Sequence, residues 1–114
     1  MKETDLTEFN KLEQMLKDAG IPYEREDKES IPREEVIARG LSHFFDWHQI
    51  RYMRNGNKVS DVVIGYGTYG HNAGLLEQMG LLPPCGDSVQ GHLTAEEVFW
   101  RWKAHYEKEE QENG

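Results

Sequence analysis

The chain has 114 residues and a formal net charge of −8, and 37% of its residues are apolar. This length and composition suit one globular domain, which we predict to span residues 1–114. An acidic chain repels phosphate groups, so we expect no direct nucleic-acid binding and no attachment to an anionic membrane. No run of ~18 apolar residues could span a bilayer, and no N-terminal signal sequence is evident. Because Cys85 is the only cysteine, an intramolecular disulfide is excluded, and we expect a cytoplasmic protein.

The first predicted element is an amphipathic helix over residues 5–19, which Gly20 and Pro22 would end. Thr4 or Asp5 is suited to cap its first turn. The apolar residues of this segment recur at the three- and four-residue spacing of one helical face. They are Leu6, Phe9, Leu12, Leu16 and Ala19.

The next segment is predicted to contain little regular structure. Residues 21–25 favour a short strand, whereas residues 26–30 are charged without an apolar period and are predicted as a loop. Residues 32–39 favour a short helix, because proline is tolerated in a first helical turn. Val36 and Ile37 would be its inward contacts.

The strongest local signal is the dipeptide Asn55-Gly56, which predicts a β-hairpin. The two flanking segments, residues 44–53 and 58–66, are rich in β-branched and aromatic side chains. Such composition is typical of strands. We therefore predict an antiparallel pair at the centre of the chain.

The register of this hairpin has two principal alternatives. A two-residue turn would place Ile50 opposite Asp61, whereas a three-residue loop over residues 55–57 would place Ile50 opposite Val62 and Arg51 opposite Asp61. A loop one residue earlier, with a glycine bulge, is a further alternative. We favour the three-residue loop because it pairs opposite charges on one face and gathers apolar residues on the other. The apolar set would be Ile50, Tyr52, Val62 and Ile64.

Three glycines in residues 65–70 exclude a regular strand or helix after the hairpin. We then predict a short helix over residues 73–79, with Asn72 as its cap. A capping box formed by Thr94 and Glu97 predicts the start of the last helix.

The last helix is predicted to run to about Lys108, and the acidic tail, residues 107–114, to fray. Trp100 lies off the buried stripe and is expected to be exposed. That stripe comprises Ala95, Val98, Phe99, Trp102 and Tyr106. These elements predict an α+β domain: a small antiparallel sheet of about three strands, with its hairpin at Asn55-Gly56, packed against N- and C-terminal helices.

Several segments carry a recognisable combination of residues. They are LxxMLxxAGIPY (12–23), HQIxY (48–52), SDVVI (60–64), YG (69–70), GLLExMGLL (74–82) and DSVxGxLTAEEVF (87–99). In these segments the chain resembles a group of small acidic proteins encoded by phages and prophages of Firmicute bacteria. No activity is attached to that group, so the resemblance implies only a bacterial cytoplasm and a mobile-element gene. Genes of this kind often encode inhibitors of host defence.

Catalytic motifs are absent from the sequence. The five histidines lack metal-ligand spacing, and no nucleophile is accompanied by a recognisable base, so we predict no catalytic residue, no metal and no cofactor. The glycines of the 65–70 loop match the spacing of a dinucleotide-binding motif, but a hairpin strand precedes them in place of a parallel βαβ unit. The open enzymatic alternative is a small metal-dependent hydrolase that uses His48, Asp61 and His71.

The 65–70 loop favours a binding function. Tyr66 and Tyr69 can present their rings outward at low entropic cost, as interface hot spots do, unless they pack against the last helix. His71, Trp47 and Arg51 could extend such a surface. We therefore predict a non-enzymatic cytoplasmic binding protein of phage or prophage origin that modulates or inhibits another protein, such as a host-defence component. A structural module that forms a homodimer through a sheet edge is the further alternative.

Overall fold

The computed structural model describes residues 3–82 and 88–113, so Cys85 lies outside the described residues. Five strands form one antiparallel sheet in sequence order, β1-β2-β3-β4-β5. The predicted α+β class is confirmed, although the prediction of about three strands was too low. The elements are α1 (Thr7–Ala19), β1 (Tyr23–Glu29), α2 (Arg33–Ala38), β2 (Asp46–Arg54), β3 (Asn57–Gly65), β4 (Leu76–Met79), β5 (Val89–Leu93) and α3 (Ala95–Asn113).

A tight turn joins β2 and β3. Asn55 and Gly56 have φ angles of 52° and 78°, and positive φ at both positions is the signature of the type I′ hairpin turn. Arg54 pairs with Asn57, so the connecting loop has two residues. Just beyond the turn the register shifts by one, which leaves Val59 without a partner as a β-bulge. The prediction of a three-residue loop was therefore wrong.

The bulge nevertheless restores the favoured pairing. Ile50 lies opposite Val62, and Arg51 lies opposite Asp61. A bulge adds one residue to one strand, as a longer loop would, so the two arrangements give the same register beyond it. Because side chains alternate along a strand, this register decides which residues face the core.

The hydrophobic core lies between one face of the sheet and the helices α1 and α3. Tyr52 stacks on Trp102 with ring centroids 5.6 Å apart, and both side chains are fully buried. The predicted inner faces of the hairpin and of α3 are confirmed, while Ala19 of α1 is exposed. The core cluster contains Phe9, Leu12, Leu16, Ile21, Ile50, Tyr52, Val62, Ile64, Leu76, Leu93, Ala95, Val98, Phe99 and Trp102.

Both long helices end or begin as the sequence predicts. Gly20 closes α1 in the left-handed conformation with φ of 69°, and the Thr7 backbone N–H donates to Asp5 Oδ1 at 3.0 Å. In the capping box, the Glu97 N–H donates to Thr94 Oγ1 at 3.3 Å. The helix α3 continues to Asn113, beyond the expected end near Lys108. No helix within residues 3–82 and 88–113 is both long and apolar enough to cross a bilayer.

Three local predictions were wrong. Residues 26–29, predicted as a loop, belong to β1. The helix predicted over residues 73–79 is replaced by a single 3-10 turn, His71–Ala73, followed by β4. Of the two residues assigned inward on α2, Val36 is buried but Ile37 is 61% exposed.

The two tryptophans of α3 test which face of this helix packs against the core. We expect Trp102→Ala to lower the free energy of unfolding by about 3–5 kcal/mol, because it empties a large fully buried site. Trp100→Ala is the matched control: this side chain is 58% exposed, so the loss should stay below about 1 kcal/mol. Denaturant unfolding of both variants measures the difference. Equal losses would contradict the packing described for α3.

Candidate binding site

The connection from β3 to β4 is held by hydrogen bonds between its own residues, made by the backbone and by the Thr68 hydroxyl. The Thr68 hydroxyl donates to the Gly65 carbonyl at 2.9 Å, and the Gly65 N–H donates back to that hydroxyl at 3.1 Å. The His71 N–H donates to the Thr68 carbonyl at 3.2 Å. The 65–71 segment, called the tyrosine loop below, therefore forms consecutive tight turns in spite of its glycines.

The two tyrosines of this loop are largely exposed. Tyr66 is 51% exposed and Tyr69 is 64% exposed, so neither is buried against α3. The Tyr66 ring is supported from beneath by Phe45 and His43, with ring centroids 4.9 and 5.2 Å away. The His71 ring stands edge-on to Tyr66 at 6.3 Å. The loop thus presents a supported aromatic surface.

Tyr69 is positioned by the neighbouring strand β5. A Cβ atom on Gly91 would lie 2.2 Å from the Tyr69 Cβ, so only glycine allows the loop to approach this closely. The His92 N–H donates to the Tyr69 carbonyl at 3.4 Å. The close approach fixes the backbone of Tyr69 while its ring stays in solvent.

A hydrogen-bonded series connects the loop to the sheet. Asp27 Oδ1 lies 2.5 Å from His48 Nδ1, and Asp46 Oδ2 lies 2.8 Å from His48 Nε2. The Thr4 hydroxyl donates to Asp46 Oδ1 at 2.6 Å. The same hydroxyl lies 3.2 Å from His71 Nε2. We call these five residues the acid–histidine relay.

The relay contains two ionised carboxylates. Burial raises the pKa of Asp46, but hydrogen bonds from Thr4 and His48 outweigh it, and the pKa lies below its ordinary value. Burial likewise raises the pKa of Asp27, while Arg25 and His48 lower it further than burial raises it. Both carboxylates are therefore ionised near neutral pH.

A small cavity adjoins the relay between the end of β1, the start of α2 and the start of β2. Its volume is about 240 Å³, below the 300–1,000 Å³ range typical of sites for drug-sized ligands. The lining residues carry both signs of charge: Asp27, Lys28, Glu29, Arg33, Asp46 and His48.

Trp47 and Arg51 lie on β2, where Trp47 pairs with Gly65 at the start of the tyrosine loop. Both alternate with the core-facing residues of β2, and so point to the outer face of the sheet. Lys28 lies over the Trp47 ring at 5.3 Å. Arg51 Nη1 donates to Glu26 Oε2 at 3.0 Å and to Gln49 Oε1 at 2.5 Å. Of the five expected binding residues, Tyr66 and His71 are in ring contact, and Tyr69 lies on the same loop against β5.

The alternative metal site is not formed. His48 faces α1, where its ring centroid is 5.8 Å from that of Phe9. Asp61 points to the outer face, where it accepts from Gln49 Nε2 at 2.6 Å, so these two expected ligands lie on opposite faces of the sheet. Across the part of the chain that the structure describes, no group of three or more His, Cys, Asp or Glu side chains could hold a metal ion. The structure therefore does not bring together His48, Asp61 and His71, the residues of the enzymatic alternative.

Comparisons with family models, with curated proteins and with solved structures find no match for this chain. The site must therefore be interpreted from its own geometry.

The sequence did not predict the relay, although one signal was present. Asp46 and His48 are two residues apart on one strand, so they share a face, and this spacing could have paired them. The position of Asp27 beside His48 could not be predicted, because its segment was predicted as a loop. The position of Thr4 before α1 indicates only a helix cap, whereas its hydroxyl bonds to Asp46.

The lowered carboxyl pKa values predict acid sensitivity. Folding lowers the pKa of such a carboxyl below its ordinary value, which is 3.8 for aspartate. The carboxyl therefore stabilises the folded state above its ordinary pKa. This contribution is lost as the pH falls toward the folded-state pKa. We expect the free energy of unfolding to decrease with acid below 3.8. Denaturant unfolding at a series of pH values measures this slope.

Asp46→Asn should make that acid slope shallower, because one depressed carboxyl is removed. Asp18→Asn is the matched control, since Asp18 is exposed and bonds only to Gln14 on the same helix. An Asp46→Asn slope equal to that of the unmodified chain would contradict the ionised state of the relay.

Proposed function

We propose that this chain is a non-enzymatic binding protein that docks on another protein through its tyrosine loop. The observation that carries the proposal is the exposure of Tyr66 and Tyr69, 51% and 64%, on a backbone that hydrogen bonds hold in place. Protein interfaces are enriched in tyrosine because the ring offers a large contact area with only two rotatable bonds. A held loop loses little further freedom on binding, which favours affinity.

The charge of the chain supports a basic surface on the partner. The net charge is −8, and complementary charge raises association rates and disfavours acidic competitors. Together with the resemblance to phage and prophage proteins, this supports a role in the bacterial cytoplasm. There the chain would modulate or inhibit a host protein, such as a defence component, by occupying its surface.

The dimerising alternative has less support. Each residue from 24 to 29 on the edge strand β1 is charged, and charged edge strands resist pairing with another sheet. The other edge, β5, contains Gly91 and also His92 with a φ of 59°, which departs from regular strand geometry. Sedimentation of the chain over a range of concentrations would reveal a dimer.

The double variant Tyr66→Ala/Tyr69→Ala tests the proposed surface. The tagged full chain and the variant would be used to capture proteins from a bacterial extract, and direct binding would be measured with each purified partner. Hot-spot tyrosines contribute about 2 kcal/mol or more each, so we expect at least a roughly thirtyfold loss of affinity. Circular dichroism would verify that the variant is folded.

Trp100→Ala is the matched control, because it removes an exposed aromatic ring from α3, outside the tyrosine loop. This variant should retain the partner. Equal binding by the chain and the double-tyrosine variant, or a partner lost only with Trp100, would overturn the proposal.

A further inference from the structure

We infer that His48 is a positioning residue for the Tyr66 ring of the tyrosine loop, and that it acts on this ring only while both nitrogens of the His48 ring carry protons. The acid–histidine relay is the physical connection. The functional meaning of this coupling rests on the proposed binding function, whereas the coupling itself is a property of the free protein.

The hydrogen bonds around His48 require a charged ring. Both ring nitrogens face carboxylate oxygens, at 2.5 Å for Asp27 and 2.8 Å for Asp46. An ionised carboxylate only accepts hydrogen bonds, so both contacts form only when both nitrogens donate. Removal of one proton would leave a nitrogen lone pair facing a carboxylate oxygen, and one contact would open.

The contact to Asp46 is the more sensitive of the two. Asp27 keeps a second cation when His48 is neutral, because Arg25 Nε lies 3.1 Å from its Oδ2. Asp46 has no such second cation among its described contacts, and its side chain is only 12% exposed. A buried carboxylate without a positive partner is costly. Loss of the His48 charge would therefore displace Asp46 or protonate it.

Displacement of Asp46 reaches the loop through Thr4. The Thr4 hydroxyl gives its only proton to Asp46 Oδ1, so it accepts the proton of His71 Nε2. If Asp46 moves, the hydroxyl is free to reorient, and His71 loses a fixed acceptor. The His71 ring contacts the Tyr66 ring. A movement of His71 therefore alters the surroundings of the exposed Tyr66 ring.

The groups that face the relay come from α1, β1, α2 and β2. On the side of α1 the His48 ring meets Phe9, which is apolar. Arg33 of α2 is itself paired with Glu3. The charged residues that line the adjoining cavity from β1, α2 and β2 are Asp27, Lys28, Glu29, Arg33 and Asp46.

Nuclear magnetic resonance of the isolated 114-residue chain tests the coupling. The ring signals of His48, His71 and Tyr66 and the methyl signal of Thr4 would be followed over the whole pH range in which the chain stays folded. We expect the Thr4 and Tyr66 signals to shift together with those of the His48 ring, in addition to any change that follows His71.

Two variants separate the relay from a general structural effect. His48→Gln should abolish the His48-linked shift of Tyr66. Thr4→Val removes the connecting hydroxyl but neither carboxylate contact of the His48 ring, so the His48 signals should still change with pH while Tyr66 no longer follows them. His105→Gln is the control, because that ring contacts Tyr52 and Glu109 at the other end of β2.

The inference is overturned if the Tyr66 signals follow only those of His71 in the unmodified chain, or if the His48-linked shift of Tyr66 persists in Thr4→Val. The latter variant decides the matter if His48→Gln fails to fold. No partner is needed for this experiment, so its outcome is independent of whether the tyrosine loop proves to be a binding surface.

Discussion

The register of β2 against β3 is the constraint on which the rest of the structure depends. It is set by a two-residue turn at Asn55-Gly56 and by one unpaired residue, Val59. Without the bulge, Ile50 would lie opposite Asp61, and every cross-strand pair farther from the turn would be offset by one. With it, Ile50 meets Val62, and the apolar residues of both strands turn to α1 and α3 together.

The alternation of side chains between the two faces of the sheet also places the polar residues of the site. His48 shares its face with the core residues of β2, so its ring lies beneath α1 next to Phe9. Asp46, two residues earlier, shares that face and reaches the N-terminal segment at Thr4. Arg51 and Asp61 fall on the other face. The tyrosine loop leaves the end of β3 beside this relay, and so a single register decides both the core and the support of the exposed rings.

Sequence patterns predicted the parts of the fold whose apolar residues are regularly spaced. The helices α1 and α3 and the hairpin follow this rule. The first part of the edge strand β1 was predicted, but residues 26–29 were not, because they are all charged and are held by ion pairs such as Arg51 with Glu26. Strand β4 was not predicted, because a segment of four residues fits a helical and a strand period equally well. One of its buried residues is also polar: Gln78 is bonded to Arg101. Loop composition left the two tyrosines either exposed or packed against the last helix, and the structure has them exposed. The relay depends on long-range contacts that spacing does not reveal.

The most direct test of the register is the set of cross-strand nuclear Overhauser effects between the backbones of β2 and β3. The described structure requires contacts between Ile50 and Val62 and between His48 and Ile64, with a break in the pattern at Val59. Contacts between Ile50 and Asp61 would instead show an unbulged hairpin. That result would place His48 out of register with the core and contradict the account of both the fold and the site.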